Sequence, residues 1–275
     1  MLKDITLGQY FPGKSVLHRM DARAKIVLML AFVILVFFAK NLWSFAYLAV
    51  LVLFLNALSG ISYRAILKGL KPVIFISVFT AVINIFWTSG ETPLVSFWII
   101  HIYAEGLWRA LFMIIRIVAL VSGTSLLLTY TTSPMDLTDA LESLLSPLKV
   151  IKVPVHEFAM MMSLALRFIP TLIDETEKIV NAQKARGADF ETGGLLHRAK
   201  ALVPILIPLF ISAFSRATDL AVAMECRCYT GGEGRTRLKV MHFSAFDFWW
   251  SLCLLALFSL IALLCFVPAS VGVVL

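Results

Sequence analysis

A chain of 275 residues in which 60% of side chains are hydrophobic and only 15% are charged departs from soluble domains, where about a quarter are charged. With a mean hydropathy of +0.90, 21 Phe and 6 Trp, it has too few polar side chains to cover a globule in water. The composition excludes a soluble domain and requires lipid as solvent for much of the surface. The net charge of +7 comes with no basic cluster interleaved with aromatic residues outside the apolar runs, which argues against a nucleic-acid partner.

Residues 1–25 carry Lys3, Lys14, Arg19, Arg23 and Lys25, too long and too charged a stretch for the head of a cleaved signal peptide, and are expected to form a cytoplasmic N-terminal segment. Apolar runs follow at 26–39, 42–58, 73–87, 107–128 and 246–267, most near the roughly 20 residues that a spanning helix needs. The first run is short and has room to extend backward through Ala22 to Lys25. Four transmembrane helices are therefore expected within 26–128 and a fifth in 246–275, with the C-terminus outside. Of the 24 basic residues, 21 then fall on inside segments, including a loop around Arg64, Lys68 and Lys71, as the positive-inside rule requires. Arg109 and Arg116 lie seven apart in the fourth span, placed to bind lipid phosphate or carbonyls of neighbouring helices. Within loop 88–106, residues 94–103 are rich in aromatic and β-branched side chains, the pattern of a short hairpin or interfacial segment.

Residues 129–245 are too many for a connecting loop and read as helices. Ser133, Pro134 and Asp136 supply an N-cap, a first-turn proline and a favourable carboxylate, which predicts a short helix from 134 to about 146, closed by Pro147. Apolar residues recurring at three and four predict a long helix from 155 to 186, ending at Gly187. Another is predicted from about 194 to 229, ending at Thr230, Gly231 and Gly232. Its middle, 201–214, is apolar enough to span, and 158–173 paired with 201–224 competes as two more spans that preserve the parity, but Arg167, Asp174, Arg216 and Asp219 interrupt the runs, and a charge near a bilayer centre costs roughly 2.5 to 3.5 kcal/mol. The fold expected is an all-α integral membrane protein: about five transmembrane helices and a large cytoplasmic segment, 129–245, of one short and two long helices.

Both long helices finish alike, one with Ala185, Arg186 and Gly187, the other with Cys226, Arg227 and Cys228. An arginine in a last turn can simply offset exposed carbonyls. The same termination twice in one segment, with small neighbours that leave the guanidinium unshielded, points instead to bidentate contacts with carboxylates of a partner.

At this point the chain resembles the transmembrane T component of energy-coupling factor transporters. The likeness is carried by Gly8, Gln9 and Tyr10 with Pro12, Gly13 and Ser15; by Leu17 and His18; by Asp21, Ala22 and Arg23; by Ser133 to Leu137; by Pro154 to Pro170; by Ala185 to Asp189; and by Ala223 to Arg227. Two departures are Ala22, where the family often has proline, and Cys226 and Cys228, where alanine and glycine are expected. The resemblance implies a complex with two ABC-type ATPase subunits below the membrane and a small membrane-embedded substrate-binding subunit, several of which could share the same module. This chain would be the non-catalytic coupling scaffold for uptake of a vitamin or other micronutrient, without a cofactor or metal. Arg186 and Arg227, with Ala185, Gly187, Cys226 and Cys228 around them, would dock the ATPases. Met160, Met161 and Met162 offer adaptable apolar side chains for the substrate subunit, although ordinary helix packing explains such a run equally well.

Other motifs point elsewhere. Gly8 to Ser15 matches the phosphate-binding expression G-x-x-x-x-G-K-S, but seven residues before it and a span soon after leave no nucleotide-binding domain around it. Cys226 and Cys228 with His242 lack zinc-knuckle spacing and a fourth ligand. The five histidines show no base-and-nucleophile pattern. Two alternative functions remain: a secondary transporter, which needs ionisable groups facing a mid-membrane cavity, and a magnesium-dependent prenyl- or phospho-transferase using Asp136, Asp139 and Asp174. For the latter a second acidic cluster is needed, for which Asp174, Glu175 and Glu177 are the candidates, whereas first-turn helix carboxylates explain Asp136 and Asp139 more simply.

Overall fold

The computed structural model describes residues 10–87, 93–97, 100–188, 190, 194–232 and 243–265. In chain order the elements are α1 (Val16–Arg19), α2 (Ala22–Phe37), α3 (Leu42–Ser59), α4 (Tyr63–Trp87), β1 (Pro93–Phe97), β2 (Ile100–Tyr103), α5 (Ala104–Thr124), α6 (Pro134–Leu145), α7 (Val155–Ala185), α8 (Leu195–Cys226) and α9 (Ala245–Cys265). The described residues fall into two compact units, 10–137 with 243–265, and 138–232.

In the first unit local chemistry sets the helix boundaries. Asp21 Oδ1 accepts from the backbone N–H of Arg23 at 2.8 Å and starts α2, so the short first run does extend back to Ala22. Asn41 and Ser44 form a reciprocal capping box at the start of α3, satisfying donors that a helix leaves unpaired at its N-terminus. The fourth expected span lengthens in both directions, because α5 begins at Ala104 and passes into a π-helical turn over Ser125–Thr129. The loop expected around Arg64, Lys68 and Lys71 is instead the first turns of α4. Ile66 and Leu70 are buried while the three basic residues are exposed, a helical alternation that a run of loop would not show. The hairpin expected in 94–103 is present: β1 and β2 pair antiparallel, with Phe97 opposite Ile100 and Pro93 opposite Tyr103. Apart from it the described fold is helical.

The core of this unit lies where α2, α3, α5 and α9 meet. Leu28, Phe32 and Val36 of α2, Leu48, Leu51 and Leu55 of α3, and Leu254, Phe258 and Ile261 of α9 are all within 2% of complete burial. Each set recurs at three and four residues, so one stripe of each helix packs inward although the helices are apolar on all sides. The opposite faces, with Phe75, Ile76 and Phe79 of α4 and Trp249 and Leu263 of α9, are exposed, as surfaces meant for lipid are.

A polar knot ties the chain where α2 and α9 begin and α6 follows. Lys25, just before the apolar run of α2, is 2% exposed; its Nζ donates to the Thr131 carbonyl at 2.9 Å and to Thr132 Oγ1 at 3.2 Å. Burial pulls its pKa down to about 8, against the opposing attraction of Asp136, Asp21 and Asp247. The buried carboxylate of Asp247 accepts from the backbone N–H groups of Asp21 at 3.0 Å and Ser244 at 2.9 Å. Ser133 accepts from the N–H of Asp136 at 3.1 Å and donates to its carboxylate at 2.7 Å, the cap expected for α6.

Among the described residues five helical segments are long and apolar enough to cross a membrane: Leu42–Ser59, Tyr63–Ile85, Glu105–Thr129, Lys200–Cys226 and Ala245–Leu264. Four correspond to expected spans. The exchange is between α2, whose 16 residues reach only about 24 Å against a hydrocarbon core of about 30 Å, and α8, which sequence reasoning set aside because of its charges.

The second unit holds most of α6, a 3-10 turn over Ser146–Ile151, α7 and α8. The start of α7 is tied to α6 by a hydrogen bond between His156 Nδ1 and Glu142 Oε1 at 2.9 Å. The long helices run antiparallel. Met161, Leu164 and Phe168 of α7 line one groove with Ala217, Leu220 and Met224 of α8; farther along, Glu175 meets Ser212 and Arg216, and Gln183 Nε2 donates to the Pro204 carbonyl at 3.4 Å. That carbonyl is the one which Pro208, having no N–H, cannot satisfy inside α8.

Candidate functional site

The two X-Arg-X sequences lie at the ends of α7 and α8 and fold into the same motif. Arg186 is the C-cap of α7, with φ −86° and ψ 6°; Arg227 is the C-cap of α8, with φ −92° and ψ 14°. After each arginine the chain turns left-handed, at Gly187 (φ +86°) and at Cys228 (φ +54°). The N–H of Gly187 donates to the Lys184 carbonyl and that of Ala188 to the Gln183 carbonyl, both at 3.0 Å; correspondingly, Cys228 donates to Glu225 at 2.8 Å and Tyr229 to Met224 at 3.0 Å. These paired bonds define a Schellman termination, which satisfies the last carbonyls of a helix and turns the chain sharply away from its axis.

The sharp exit leaves both guanidinium groups standing at a corner. Ala185, Arg186, Gly187, Cys226, Arg227 and Cys228 are all exposed, and among the described residues neither Arg186 nor Arg227 has a side-chain partner. The helix that was expected to reach Tyr229 stops at Cys226, which puts Arg227 at the very tip. Because α7 and α8 are antiparallel, the two tips lie at opposite ends of the pair. A helix of 31 or 32 residues is about 47 Å long, so the arrangement presents two separate fixed charges. An arginine so placed can engage a carboxylate through two parallel hydrogen bonds.

Met161 and Met162 are exposed and Met160 is partly so, and Met161 belongs to the α7/α8 groove. Much of the apolar middle of α8, including Leu206, Ile207, Phe210 and Phe214, is also exposed.

The remaining marked residues have local roles. Ser15 Oγ is 2.6 Å from His18 Nδ1, and His18 Nε2 is 2.8 Å from the Phe11 carbonyl. The serine of the phosphate-loop look-alike is thus engaged by a histidine, and the helix after it is only Val16–Arg19; Gly8 and Gln9 lie outside the described residues. Arg116 Nη2 donates to the Ala39 carbonyl at 2.6 Å, and its guanidinium stands 5.2 Å from the Phe45 ring centre. Of the two roles expected for it, the carbonyl contact is the one present, while Arg109 is exposed. Asp136 is engaged in its own helix cap and near Lys25. Among the described residues no three metal-binding side chains gather; His242 lies outside them. Sequence reasoning missed the joining of Glu175, Ser212 and Arg216. It had placed Glu175 in an acidic cluster and Arg216 among interrupting charges, and no spacing within one helix reports a pairing between two.

The family model of CbiQ, cobalt transport protein, matches residues 13–238. The energy-coupling factor transporter transmembrane protein EcfT of Clostridium kluyveri is 52% identical over 94% of this chain and 95% of its own. That of Ruminiclostridium cellulolyticum is 53% identical over 90% and 92%, and that of Bacillus subtilis 44% over 98% and 100%. Relatives this similar along nearly the whole length, together with five helices fit to span a bilayer, show that the chain is a multi-pass membrane protein and belongs to the EcfT family, the transmembrane components of energy-coupling factor transporters.

Proposed function

We propose that this chain is the scaffold and coupling subunit of an ATP-driven importer, performing no chemistry itself. Arg186 and Arg227 dock into two ABC-type ATPase subunits, and the exposed apolar face of α7 and α8, with Met160, Met161 and Met162, meets a small membrane-embedded subunit that binds a vitamin or other micronutrient. The N-terminal segment, the basic start of α4 and residues 129–245 face the cytoplasm, where positively charged segments are retained, and the C-terminus faces outside. One observation carries this reading: two long helices end in the same exposed, Schellman-capped arginine, at opposite ends of an antiparallel pair. Two equal sockets on two like ATPases would be met by such a pair, and closure of the ATPases on ATP would move both helices together.

Co-purification tests it. Tagged chain should bring two ATPases per copy, and Arg186→Ala with Arg227→Ala should bring none while still inserting in the membrane. A charge-assisted contact contributes about 1.5 to 3 kcal/mol, so each single replacement should weaken docking by roughly ten- to a hundredfold. Full recovery of both ATPases with the double variant would refute the proposal.

A further inference from the structure

The segment that resembles a phosphate-binding loop folds into a hook. His18 closes residues 11–18 on themselves, with Nδ1 at 2.6 Å from Ser15 Oγ and Nε2 at 2.8 Å from the Phe11 carbonyl. The hook needs a glycine at 13, because a Cβ there would stand 2.7 Å from the His18 ring. It is tied down by the Phe11 N–H, which donates to the Tyr130 carbonyl at 3.1 Å. Across from it is the corner between α3 and α4, where Gly60 turns left-handed at φ +67° and the Ile61 N–H donates to Ser59 Oγ at 3.2 Å. Between hook and corner lies a cavity of about 340 Å³, whose lining includes Gly13, Lys14, Ser15, Ser62 and Ala65. That volume falls at the lower end of the roughly 300 to 1,000 Å³ of ligand pockets.

The lining is suited to an anion. The carbonyls of Phe11, Ser15 and Ser62 already accept hydrogen bonds from within the hook and the first turn of α4. The backbone N–H groups of Gly13, Lys14, Ser15 and Ser62 have no acceptor among the described residues, and neither has the Lys14 ammonium. Among the described residues no carboxylate lines the cavity. Backbone N–H groups brought together from two loops, with an ammonium beside them, favour a ligand that carries several anionic oxygens. The Ser15 hydroxyl, which in a nucleotide loop would meet magnesium, is engaged by His18. Position then selects the anion. The corner joins the ends of two segments fit to cross a membrane, Leu42–Ser59 and Tyr63–Ile85, so the cavity lies at the depth of the lipid headgroups. The same two helices expose Leu53, Phe54, Tyr63 and Leu67 to acyl chains. Arg64 and Lys68, exposed on the first turns of α4, add attraction for an acidic leaflet.

We propose that the hook and the α3–α4 corner form a phosphate site that holds the headgroup of an anionic phospholipid, with Lys14 Nζ and the N–H groups of Gly13, Lys14, Ser15 and Ser62 donating to the phosphate oxygens. Occupied, the site pins residues 11–18 to the corner and the corner to the bilayer surface. Inorganic phosphate and a nucleotide share the recognised group, and the test separates them from lipid. The site is independent of Arg186 and Arg227, and of what they dock.

The test reads amide hydrogen exchange, residue by residue, on the full chain in lipid nanodiscs. The discs hold phosphatidylcholine alone or a mixture of phosphatidylcholine with phosphatidylglycerol, and the phosphatidylcholine discs are also given millimolar inorganic phosphate or ATP. Phosphatidylglycerol should slow exchange at 13, 14, 15 and 62 by about fivefold or more, because those N–H groups gain an acceptor that opens less often than water. Lys14→Gln should reduce the slowing to less than twofold, and Lys14→Arg, which keeps the charge and the donors, should retain it. Lys68→Gln removes an exposed charge that does not line the cavity and should leave the slowing intact. The lipid site is overturned if phosphatidylglycerol protects these amides no better than phosphatidylcholine, or if Lys14→Gln keeps the protection. It is also overturned if Lys68→Gln abolishes the protection as Lys14→Gln does, or if Lys14→Arg fails to retain it. Equal protection by inorganic phosphate or by ATP in phosphatidylcholine discs overturns it as well, and makes the occupant a soluble phosphate.

Discussion

Replacing Gly187 by alanine and Cys228 by glycine perturbs the same backbone position on the two tips in opposite senses. Both residues follow the C-cap arginine and both are left-handed, with φ of +86° and +54°. A side chain in that region costs roughly 1 to 2 kcal/mol, whereas glycine adopts it freely but loses about 0.5 to 1 kcal/mol more chain entropy on folding. The net is about 0.5 to 1 kcal/mol: Gly187→Ala loosens the end of α7 and Cys228→Gly tightens the end of α8. No atom lies within 4 Å of where a Cβ on residue 187 would stand, so the backbone alone carries the effect at that site. Native-state hydrogen exchange reads it locally, at the amides of 187 and 188 and of 228 and 229, whose bonds to the preceding carbonyls close the two motifs. About 0.5 to 1 kcal/mol corresponds to roughly two- to fivefold in local opening. Exchange should quicken by that factor at the first tip and slow by it at the second. Changes of the same sign at both tips would refute the shared termination, and with it the geometric basis for treating the two arginines as equivalent.

Two further outcomes follow from the first unit. Lys25 has a folded pKa of about 8 against an ordinary value of 10.5, so between those pH values the unfolded chain holds more protons and stability should rise with pH, by up to the order of 3 kcal/mol. Below pH 8 the penalty is fully present; thermal unfolding in detergent should show the rise for the parent chain and lose it in Lys25→Met, and an unchanged slope in that variant would assign the rise to another group. Gly123 lies on α5 where a Cβ would come within 2.4 Å of the buried Phe32 ring, itself 5.3 Å from the Phe258 ring centre. Overpacking of this kind costs about 1 to 3 kcal/mol, so Gly123→Ala should lower the unfolding midpoint and Phe32→Leu in the same chain should recover part of the loss.

Composition and periodicity alone determined that this is a helical membrane protein, where four of its five candidate spans lie, how α6 is capped and that two long helices end at an arginine. Those properties follow from transfer free energy and from hydrogen bonds between residues a few positions apart, which leave their mark on consecutive letters. Tertiary structure decided the rest. Helices such as α3 and α9 are apolar on every side, so nothing in their spacing says that Leu48 or Phe258 faces inward; packing against neighbours distant in the chain selects that stripe. Arg64, Lys68 and Lys71 looked like a loop because charge alone cannot separate a loop from the exposed face of a helix. The buried amine of Lys25 meets Thr131 and Thr132, more than a hundred residues away, and Glu175 meets a residue 41 positions later. Each is a short-range interaction between groups far apart in sequence, and only the folded chain brings such groups within reach.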